Sequence, residues 1–236
     1  MIPKVIHYCW FGRGEKTKLV QKCINSWKKY CPEYEIIEWS EDNFNIDYNS
    51  YTRYCYDNRK WAFLSDFARL IIVYENGGIY FDTDVEVIKS FDHLLDCNAF
   101  YGFENNDNVA TGLGFGALKG EKSIHLMIHE YESLKSKEDG SFPLVVCPAL
   151  NTLALQKLGL KLNGKFQNLN GVVIYPSDYL NPMNSVTGEI KKTDNTYSIH
   201  RYSMSWLPKH RQVRTRITKI CHRFFGENCF EWIKGD

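Results

Sequence analysis

Two carboxylates two positions apart are the feature of this 236-residue sequence that most clearly suggests chemistry. Asp82 and Asp84 follow an apolar run at 79–81, which predicts a buried strand. The pair would therefore lie at the carboxyl end of a strand, where α/β folds bind their ligands. Carboxylate oxygens suit Mg²⁺ or Mn²⁺, and such an ion commonly holds a diphosphate. The tripeptide alone is more often a solvated turn, and the strand before it is what favours a metal site.

Asp66 and Arg69 form a second charged pair, inside the helix predicted at 61–75. The apolar residues of that segment recur at helical spacing and would form one stripe, made of Phe63, Phe67, Leu70, Ile71 and Tyr74. A charged pair in such a helix needs partners, because an unpaired buried charge costs on the order of several kcal/mol. Two interpretations remain open. The two residues form a mutual salt bridge, or Arg69 faces a phosphate or sugar while Asp66 accepts hydrogen bonds from sugar hydroxyls.

The elements that must position these residues alternate between strands and helices. Apolar, aromatic and β-branched runs predict strands at 4–10, 34–39, 79–81, 85–87, 99–103, 113–118, 172–175 and 196–202. Helical spacing predicts helices at 17–30, 61–75, 123–134 and 148–158, and Ser40 is a predicted helix cap. This alternation is typical of a nucleotide-binding α/β sheet, and no linker divides the chain, so we expect a single domain.

Composition and charge restrict the class of protein. Hydrophobic residues make up 44% of the chain, which allows a sizeable core and excludes a disordered chain. A net charge of +1 gives no general electrostatic reason to expect nucleic acid as a partner. No apolar run could span a bilayer and the first residues lack a signal-peptide pattern, so we expect a soluble, cytoplasmic protein. The eight cysteines form no C-x-x-C pair, which favours free thiols over a zinc site.

The segment at 207–225 differs from the rest because it carries six Lys or Arg and no acidic residue. Its apolar residues fall near one face of a predicted helix: Val213, Ile217, Ile220, Phe224 and Phe225. Two interpretations remain open for this basic amphipathic tail. The helix packs on the domain by its apolar face, or it attaches to the anionic inner face of a cell membrane as a peripheral element.

Three blocks of sequence, in order along the chain, resemble a known family. The blocks are IPKVIHYCWFG at 2–12, FLSDFAR at 63–69 with YENGGIYFDTD at 74–84, and SIHRYSMSW at 198–206. They are similar to the bacterial capsular polysaccharide glycosyltransferases that have a DXD sugar-binding region, of the glycosyltransferase family 32 type. That family is related to the yeast initiating mannosyltransferase and, more distantly, to the clostridial glucosylating toxins. The resemblance covers residues 1–206 and leaves the basic tail outside it.

The resemblance implies an α/β fold of the GT-A type, the Rossmann-like fold of nucleotide-diphospho-sugar transferases. The domains would be a glycosyltransferase domain at 1–206 and the tail at 207–236. It also implies a retaining hexosyltransferase that uses Mn²⁺ or Mg²⁺ and a nucleotide sugar, with UDP favoured. The acceptor would be a glycan or a lipid-linked sugar, in the synthesis of capsular or surface polysaccharide.

The resemblance assigns a role to each site residue by its position in the blocks. Asp84, Asp82 and His200 would hold the metal ion, and Asp82, Asp84 and Arg69 would form the catalytic group. The residues implied to bind the donor are Ile6 and His7 through their backbone, Trp10, Asp66, Arg69, Tyr80, Asp82, Ser205 and Trp206.

Alternatives from other classes remain. In a haloacid-dehalogenase-like phosphatase a D-x-D motif also follows an apolar strand, but it lies on the first strand of that fold. A non-catalytic module that binds a sugar or a membrane is the other alternative. No separate nucleophile is identified; Glu104 and Asp107 are candidates by position only, and same-face attack by the acceptor is favoured. Gly112, Gly114 and Gly116 would let backbone approach a sugar closely, or would pack a strand.

Overall fold

Nine strands and seven helices are formed by the residues that the structure, a computed structural model, describes: 1–203, 209–226 and 229. The strands are β1 (Val5–Cys9), β2 (Glu35–Trp39), β3 (Gly78–Tyr80), β4 (Val85–Val87), β5 (Ala99–Gly102), β6 (Phe115–Ala117), β7 (Gln167–Leu169), β8 (Val172–Tyr175) and β9 (Ser198–His200). The helices are α1 (Lys18–Tyr30), α2 (Ser50–Asp57), α3 (Trp61–Asn76), α4 (Lys122–Glu132), α5 (Cys147–Gln156), α6 (Ser177–Leu180) and α7 (Lys209–Phe225), and short 3₁₀ turns lie at Asp92–Leu94 and Thr111–Leu113.

Seven of the strands form the central sheet, in the order β2-β1-β3-β6-β5-β8-β7. β1 is parallel to β2 and β3, and β5 is parallel to β8, whereas β6 and β7 are antiparallel to their neighbours. The carboxyl ends of β1, β3 and β5 therefore lie at one edge of the sheet. Because β6 runs the opposite way, its amino end and the turn at Thr111–Leu113 lie at the same edge. β4 and β9 form a separate antiparallel pair.

Alternate residues of the strands face two cores, one on each side of the central sheet. Tyr80 and Phe115 belong to the core that α2, α3, α4 and α5 cover. Ile79 and Phe81 belong to the core that α1 and the segment around Phe91 cover. The predicted α/β class is confirmed, with one continuous sheet at the centre of a single domain.

Helix α3 is buried around most of its circumference and not along one stripe only. Eight of its sixteen residues are buried, because the helix lies between β1 and α4 and also contacts α2. It ends at Gly77, whose φ is 70°, and Gly78 follows with a φ of 100°. A side chain at Gly78 would also meet the carbonyl oxygen of Val5. The two glycines thus end the helix and let β3 begin directly beside β1.

Three short stretches differ from the prediction. Ser40 was predicted to cap a helix, but it caps only a single turn, through its hydroxyl and the N–H of Asp42. The helix begins later, as α2, where Asn49 and Thr52 form a reciprocal capping box. α2, α6 and β7 were not predicted. Each is too short to show several periods of an apolar pattern.

The basic segment forms α7, but its apolar residues do not pack on the domain. Val213, Ile217, Ile220 and Phe224 are all exposed. The boundary predicted at 206/207 and the end of the tail lie outside the described residues, so the domain bounds stay a prediction. Among the helices described, none combines the length and the apolar character needed to cross a membrane.

Candidate active site

The sheet edge formed by the ends of β1, β3 and β5 carries most of the predicted site residues. Asp82 and Asp84 come directly after β3, Trp10 follows β1, and Glu104 lies two residues beyond β5. The side chain of Asp82 is 26% exposed and that of Asp84 is 11% exposed, so both are largely removed from water. The DxD motif is therefore part of a recessed site and not a solvated turn.

His200 reaches the two aspartates through the small sheet. Val85 of β4 pairs with His200 of β9, and the N–H of Arg201 donates to the carbonyl oxygen of Asp84 at 3.0 Å. One possible ligand atom from each of Asp82, Asp84 and His200 lies within 4.8 Å of the others. The structure thus brings together the three residues predicted to hold a metal ion.

The surroundings shift the pKa values of the three side chains in this cluster in different directions. Burial acts to raise the pKa of Asp84, but the nearby His200 and the N–H of Ser203, which donates to Oδ2 at 2.7 Å, hold that pKa well below its usual range. Burial acts to lower the pKa of His200, yet Asp84, whose Oδ1 lies 3.1 Å from Nε2, outweighs it and raises this pKa. Burial raises the pKa of Asp82. Asp84 is therefore an ionised carboxylate at neutral pH.

Arg69 connects helix α3 to the DxD motif. It is 2% exposed, and its Nη2 lies 2.6 Å from Oδ1 of Asp66 and 3.0 Å from Oδ1 of Asp82. Its guanidinium carbon also lies 5.0 Å from the ring centroid of Tyr80, whose hydroxyl donates to Oδ1 of Asp82 at 3.2 Å. The predicted salt bridge with Asp66 is present, and the same guanidinium orients one carboxylate of the motif.

A glycine in the turn before β6 makes room for the DxD motif. A β-carbon at Gly112 would lie 2.6 Å from Oδ2 of Asp82 and 3.2 Å from Nη1 of Arg69. Thr111 anchors the turn, since its hydroxyl oxygen lies 3.4 Å from Nη1 of Arg69 and 2.8 Å from the amide group of Asn151. The close approach predicted for this glycine was to a sugar and stays a prediction; the group that the structure places against it is a protein carboxylate. Thr111 was not predicted as a site residue.

The loop after β9 holds Glu104 beside the cluster. Tyr202 has a φ of 46°, which is unusual for a residue other than glycine, and its ring centroid lies 4.3 Å from that of His200. Its hydroxyl donates to Oε1 of Glu104 at 3.2 Å and accepts from Asn181 at 2.7 Å. Asp107, the other candidate nucleophile, is exposed at the tip of its loop. Tyr202 was missed as a site residue, although the closing sequence block contains it.

The residues predicted to line the base pocket lie at different depths. Ile6 is inside β1 and pairs with strands on both sides, and the carbonyl oxygen of His7 accepts from the N–H of Phe81. The ring of His7 is bonded within the protein, to a backbone oxygen and to Trp39. Only Trp10 of the three is partly exposed. The roles of Ile6 and His7 stay predictions, and Ser205 and Trp206 lie outside the described residues.

The composition of the cluster fits a divalent cation. Asp66 and Asp82 share the guanidinium of Arg69 and Asp84 pairs with His200, so three carboxylates have only one permanent positive charge beside them in these pairs. The buried Nδ1 of His200 also has no hydrogen-bond partner among the described residues. Two carboxylates with one imidazole form a ligand set that a divalent metal ion can accept. Asp82, Asp84 and His200 are therefore the residues that could hold such an ion.

Comparisons with known proteins point to the same site. Residues 17–101 match the glycosyltransferase sugar-binding region containing the DXD motif, a stretch that includes Asp66, Arg69, Asp82 and Asp84. Inositol phosphoceramide mannosyltransferase 3 of Schizosaccharomyces pombe (strain 972 / ATCC 24843) is 30% identical over 106 residues, which cover 40% of this chain. The match spans only 27% of that relative, so the likeness is confined to one region of it.

A solved structure shares the fold over most of the chain. It is described as a glycosyltransferase involved in the glycosylation of the major capsid of PBCV-1, and it is 11% identical with a TM-score of 0.50. The alignment covers 91% of this chain and 100% of that one. At this identity the likeness concerns the fold alone, and it confirms the predicted GT-A type. Together, the matched region and the shared fold support an enzyme of the glycosyltransferase class.

Proposed function

We propose that this chain is a retaining, metal-dependent glycosyltransferase that moves a hexose from a nucleotide sugar to a glycan or lipid-linked acceptor. The observation that carries this proposal is the cluster of Asp82, Asp84 and His200 at the ligand-binding edge of the sheet, inside and beside the matched DXD region. A UDP-sugar is the favoured donor, and capsular or surface polysaccharide synthesis is the favoured process. Both rest on the three blocks of sequence resemblance.

The residues around the cluster have separable tasks in this reaction. A divalent ion, when bound, neutralises the negative charge that develops on the nucleoside diphosphate as the anomeric C–O bond breaks. Asp82, Asp84 and His200 would hold it. Arg69 and the Tyr80 hydroxyl fix the orientation of the Asp82 carboxylate, so this ligand is already in place before the donor arrives.

The donor would lie along the same edge of the sheet. Trp10 offers its partly exposed indole to the nucleotide base, at the end of β1. Asp66 and Arg69 are placed beside the DxD motif, where the hexose of a metal-bound nucleotide sugar would lie. Ser205 and Trp206 would contact the leaving diphosphate, and this part of the proposal is supported by the family resemblance alone.

Retention of configuration has two possible routes at this site. Glu104 is the carboxylate that the structure places beside the cluster, where it could act as nucleophile, but Tyr202 already donates to it. We favour attack by the acceptor on the same face, with a donor phosphate oxygen as base. Intact-protein mass spectrometry after incubation with donor should then show no added hexose. A hexose adduct that Glu104→Gln abolishes would assign the nucleophile to Glu104 instead.

The structure does not favour the phosphatase alternative. The D-x-D motif follows the third strand of a GT-A sheet, and its first aspartate is bonded to Arg69 and Tyr80 and is not presented as a free nucleophile. The remaining alternative is a non-catalytic module, which would bind a nucleotide sugar without releasing nucleoside diphosphate from it.

The test is a panel of UDP- and GDP-sugars, incubated with the full chain and Mn²⁺, with release of nucleoside diphosphate as the readout. GDP-mannose belongs in the panel because the curated relative is a mannosyltransferase. We expect slow release from one donor, loss of release in EDTA, and loss in Asp84→Asn. Donor-induced thermal stabilisation without release would indicate a binding module, and neither effect with any donor would contradict the proposal.

A further inference from the structure

Helix α7 contacts the domain through polar side chains. Lys219 lies with its Nζ 5.7 Å from the ring centroid of Tyr202, and Arg223 donates to the carbonyl oxygen of Gly188 at 3.2 Å. Thr218, on the same side of the helix, is partly buried. This is the reverse of the usual arrangement, in which a surface helix turns its apolar side to the core.

The apolar residues of α7 form a stripe on the opposite side. Val213, Ile217, Ile220 and Phe224 follow the spacing i, i+4, i+7 and i+11, which keeps them within about 60° of one another around the helix axis. Between 54% and 75% of each is exposed. The centre of the stripe lies roughly half a turn around from the side of the helix that Lys219 and Thr218 occupy, so the stripe faces largely away from the domain. Its Ile220 and Phe224 also border a cavity with Thr187 and Gly188. An aligned row of exposed aliphatic and aromatic side chains is typical of a surface that a lipid membrane or a protein partner covers.

The charge around the stripe restricts what can cover it. Helix α7 contains no acidic residue, and the exposed side chains of Arg214 and Arg223 lie to either side of the stripe, about a quarter of a turn from it. A second copy of the same helix would bring these arginines together and would be repelled. An anionic phospholipid surface satisfies both features, because its acyl region accepts the stripe and its phosphates accept the arginines.

We propose that α7 docks this protein on an anionic phospholipid bilayer, lying in the interface with its apolar stripe inward. The contact between Lys219 and Tyr202 fixes the docked helix beside the cluster of Asp84 and His200, since the ring of Tyr202 also touches that of His200. Docking would therefore hold the site close to the membrane surface. If the proposed function holds, this places the enzyme next to lipid-linked acceptors; the docking itself does not depend on it.

The test is co-sedimentation of the full chain with vesicles, which needs no donor or acceptor. Vesicles of equal parts phosphatidylglycerol and phosphatidylcholine should carry the protein to the pellet, and vesicles of phosphatidylcholine alone should not. Ile217→Glu should weaken the partition coefficient by about tenfold or more, because it places a charge in the inserted stripe. Arg214→Gln, which removes a positive charge beside the stripe, should also weaken binding to the anionic vesicles.

Leu153→Glu is the matched control, because Leu153 is an aliphatic residue 47% exposed on helix α5, away from the stripe. It should bind vesicles as the wild type does, and circular dichroism should show that all variants are folded. A wild-type chain that stays in the supernatant with both vesicle types overturns the proposal. Light scattering that shows a dimer which Ile217→Glu dissociates would assign the stripe to a second copy and overturn it too. Failure of nucleotide release with intact vesicle binding would affect only the proposed function.

Discussion

Val85 and His200 face each other across the antiparallel pair of β4 and β9, and this pairing brings a distant histidine into contact with Asp84. Asp84 directly precedes Val85, so the residue that ends the DxD motif also begins the strand that recruits the histidine. The approach of Asp84 to His200 is thus built on two hydrogen-bonded strands, whose backbone fixes the separation of the two side chains.

Removal of the buried guanidinium of Arg69 should lower the stability of the protein. Arg69→Met leaves Asp66 and Asp82 without their counter-charge in a buried site, so we expect the free energy of unfolding to fall by about 3–5 kcal/mol. Urea denaturation measures it. Arg53→Met is the control, because Arg53 also contacts two carboxylates but is 49% exposed, and its loss should change stability only slightly. Equal losses in the two variants would show that the pairing of Arg69 is not what stabilises the site.

A methyl group at position 112 should disturb the cluster of Asp82, Asp84 and His200 and also lower the stability of the fold. Gly112→Ala places a β-carbon 2.6 Å from Oδ2 of Asp82, and this carboxylate cannot move without leaving Arg69. We expect a stability loss of about 1–3 kcal/mol and a much smaller rise in melting temperature on adding Mn²⁺. Gly14→Ala is the control, since no atom lies within 4 Å of the added carbon. A wild-type response to Mn²⁺ in Gly112→Ala would contradict the role given to this glycine.

The stability of the protein should depend on the protonation of Asp66. Burial raises its pKa to about 6, which Arg69 offsets only in part, whereas in the unfolded chain the value is about 3.9. Between these values the folded protein binds more protons than the unfolded chain, so this group makes the free energy of unfolding fall as pH rises. This decrease in the free energy of unfolding is complete once the pH exceeds the pKa of Asp66 in the folded protein.

Asp66→Asn removes that contribution. The stability of the variant relative to wild type should therefore improve from about pH 4 to about pH 6 and stay constant above. Urea midpoints across this range measure the difference. If the urea midpoints of the wild type and Asp66→Asn change with pH in parallel, Asp66 ionises in the folded protein as it does in water.

Much of the site could be predicted because its signals are local. Asp82 and Asp84 follow an apolar run that forms a strand. The spacing of Asp66 and Arg69 on a helix already indicated that these two residues interact. His200 entered only through the family resemblance. Its approach to Asp84 depends on the pairing of β4 with β9, and a three-residue strand far along the chain carries no sign of its partner.

Other features needed the packed structure. Gly112 had two interpretations, and neither of them anticipated the Asp82 side chain that this glycine accommodates. The periodicity of α7 predicted an apolar face but not its direction, because an amphipathic pattern gives the same signal whether the face meets a protein core or a membrane. Ser40 has the chemistry of a helix cap, but the residues after it form one turn.

We infer above all that Asp82, Asp84 and His200 hold a divalent ion together with a nucleoside diphosphate. The most direct measurement is an electron paramagnetic resonance titration of Mn²⁺ with the full chain, in which the signal of the free ion reports what the protein has not bound. Wild-type protein should remove the free signal at a saturable site, more tightly when UDP is present. Asp84→Asn and His200→Ala should leave most of the signal in place. A wild type that binds no more Mn²⁺ than these variants, with or without UDP, would contradict the claim.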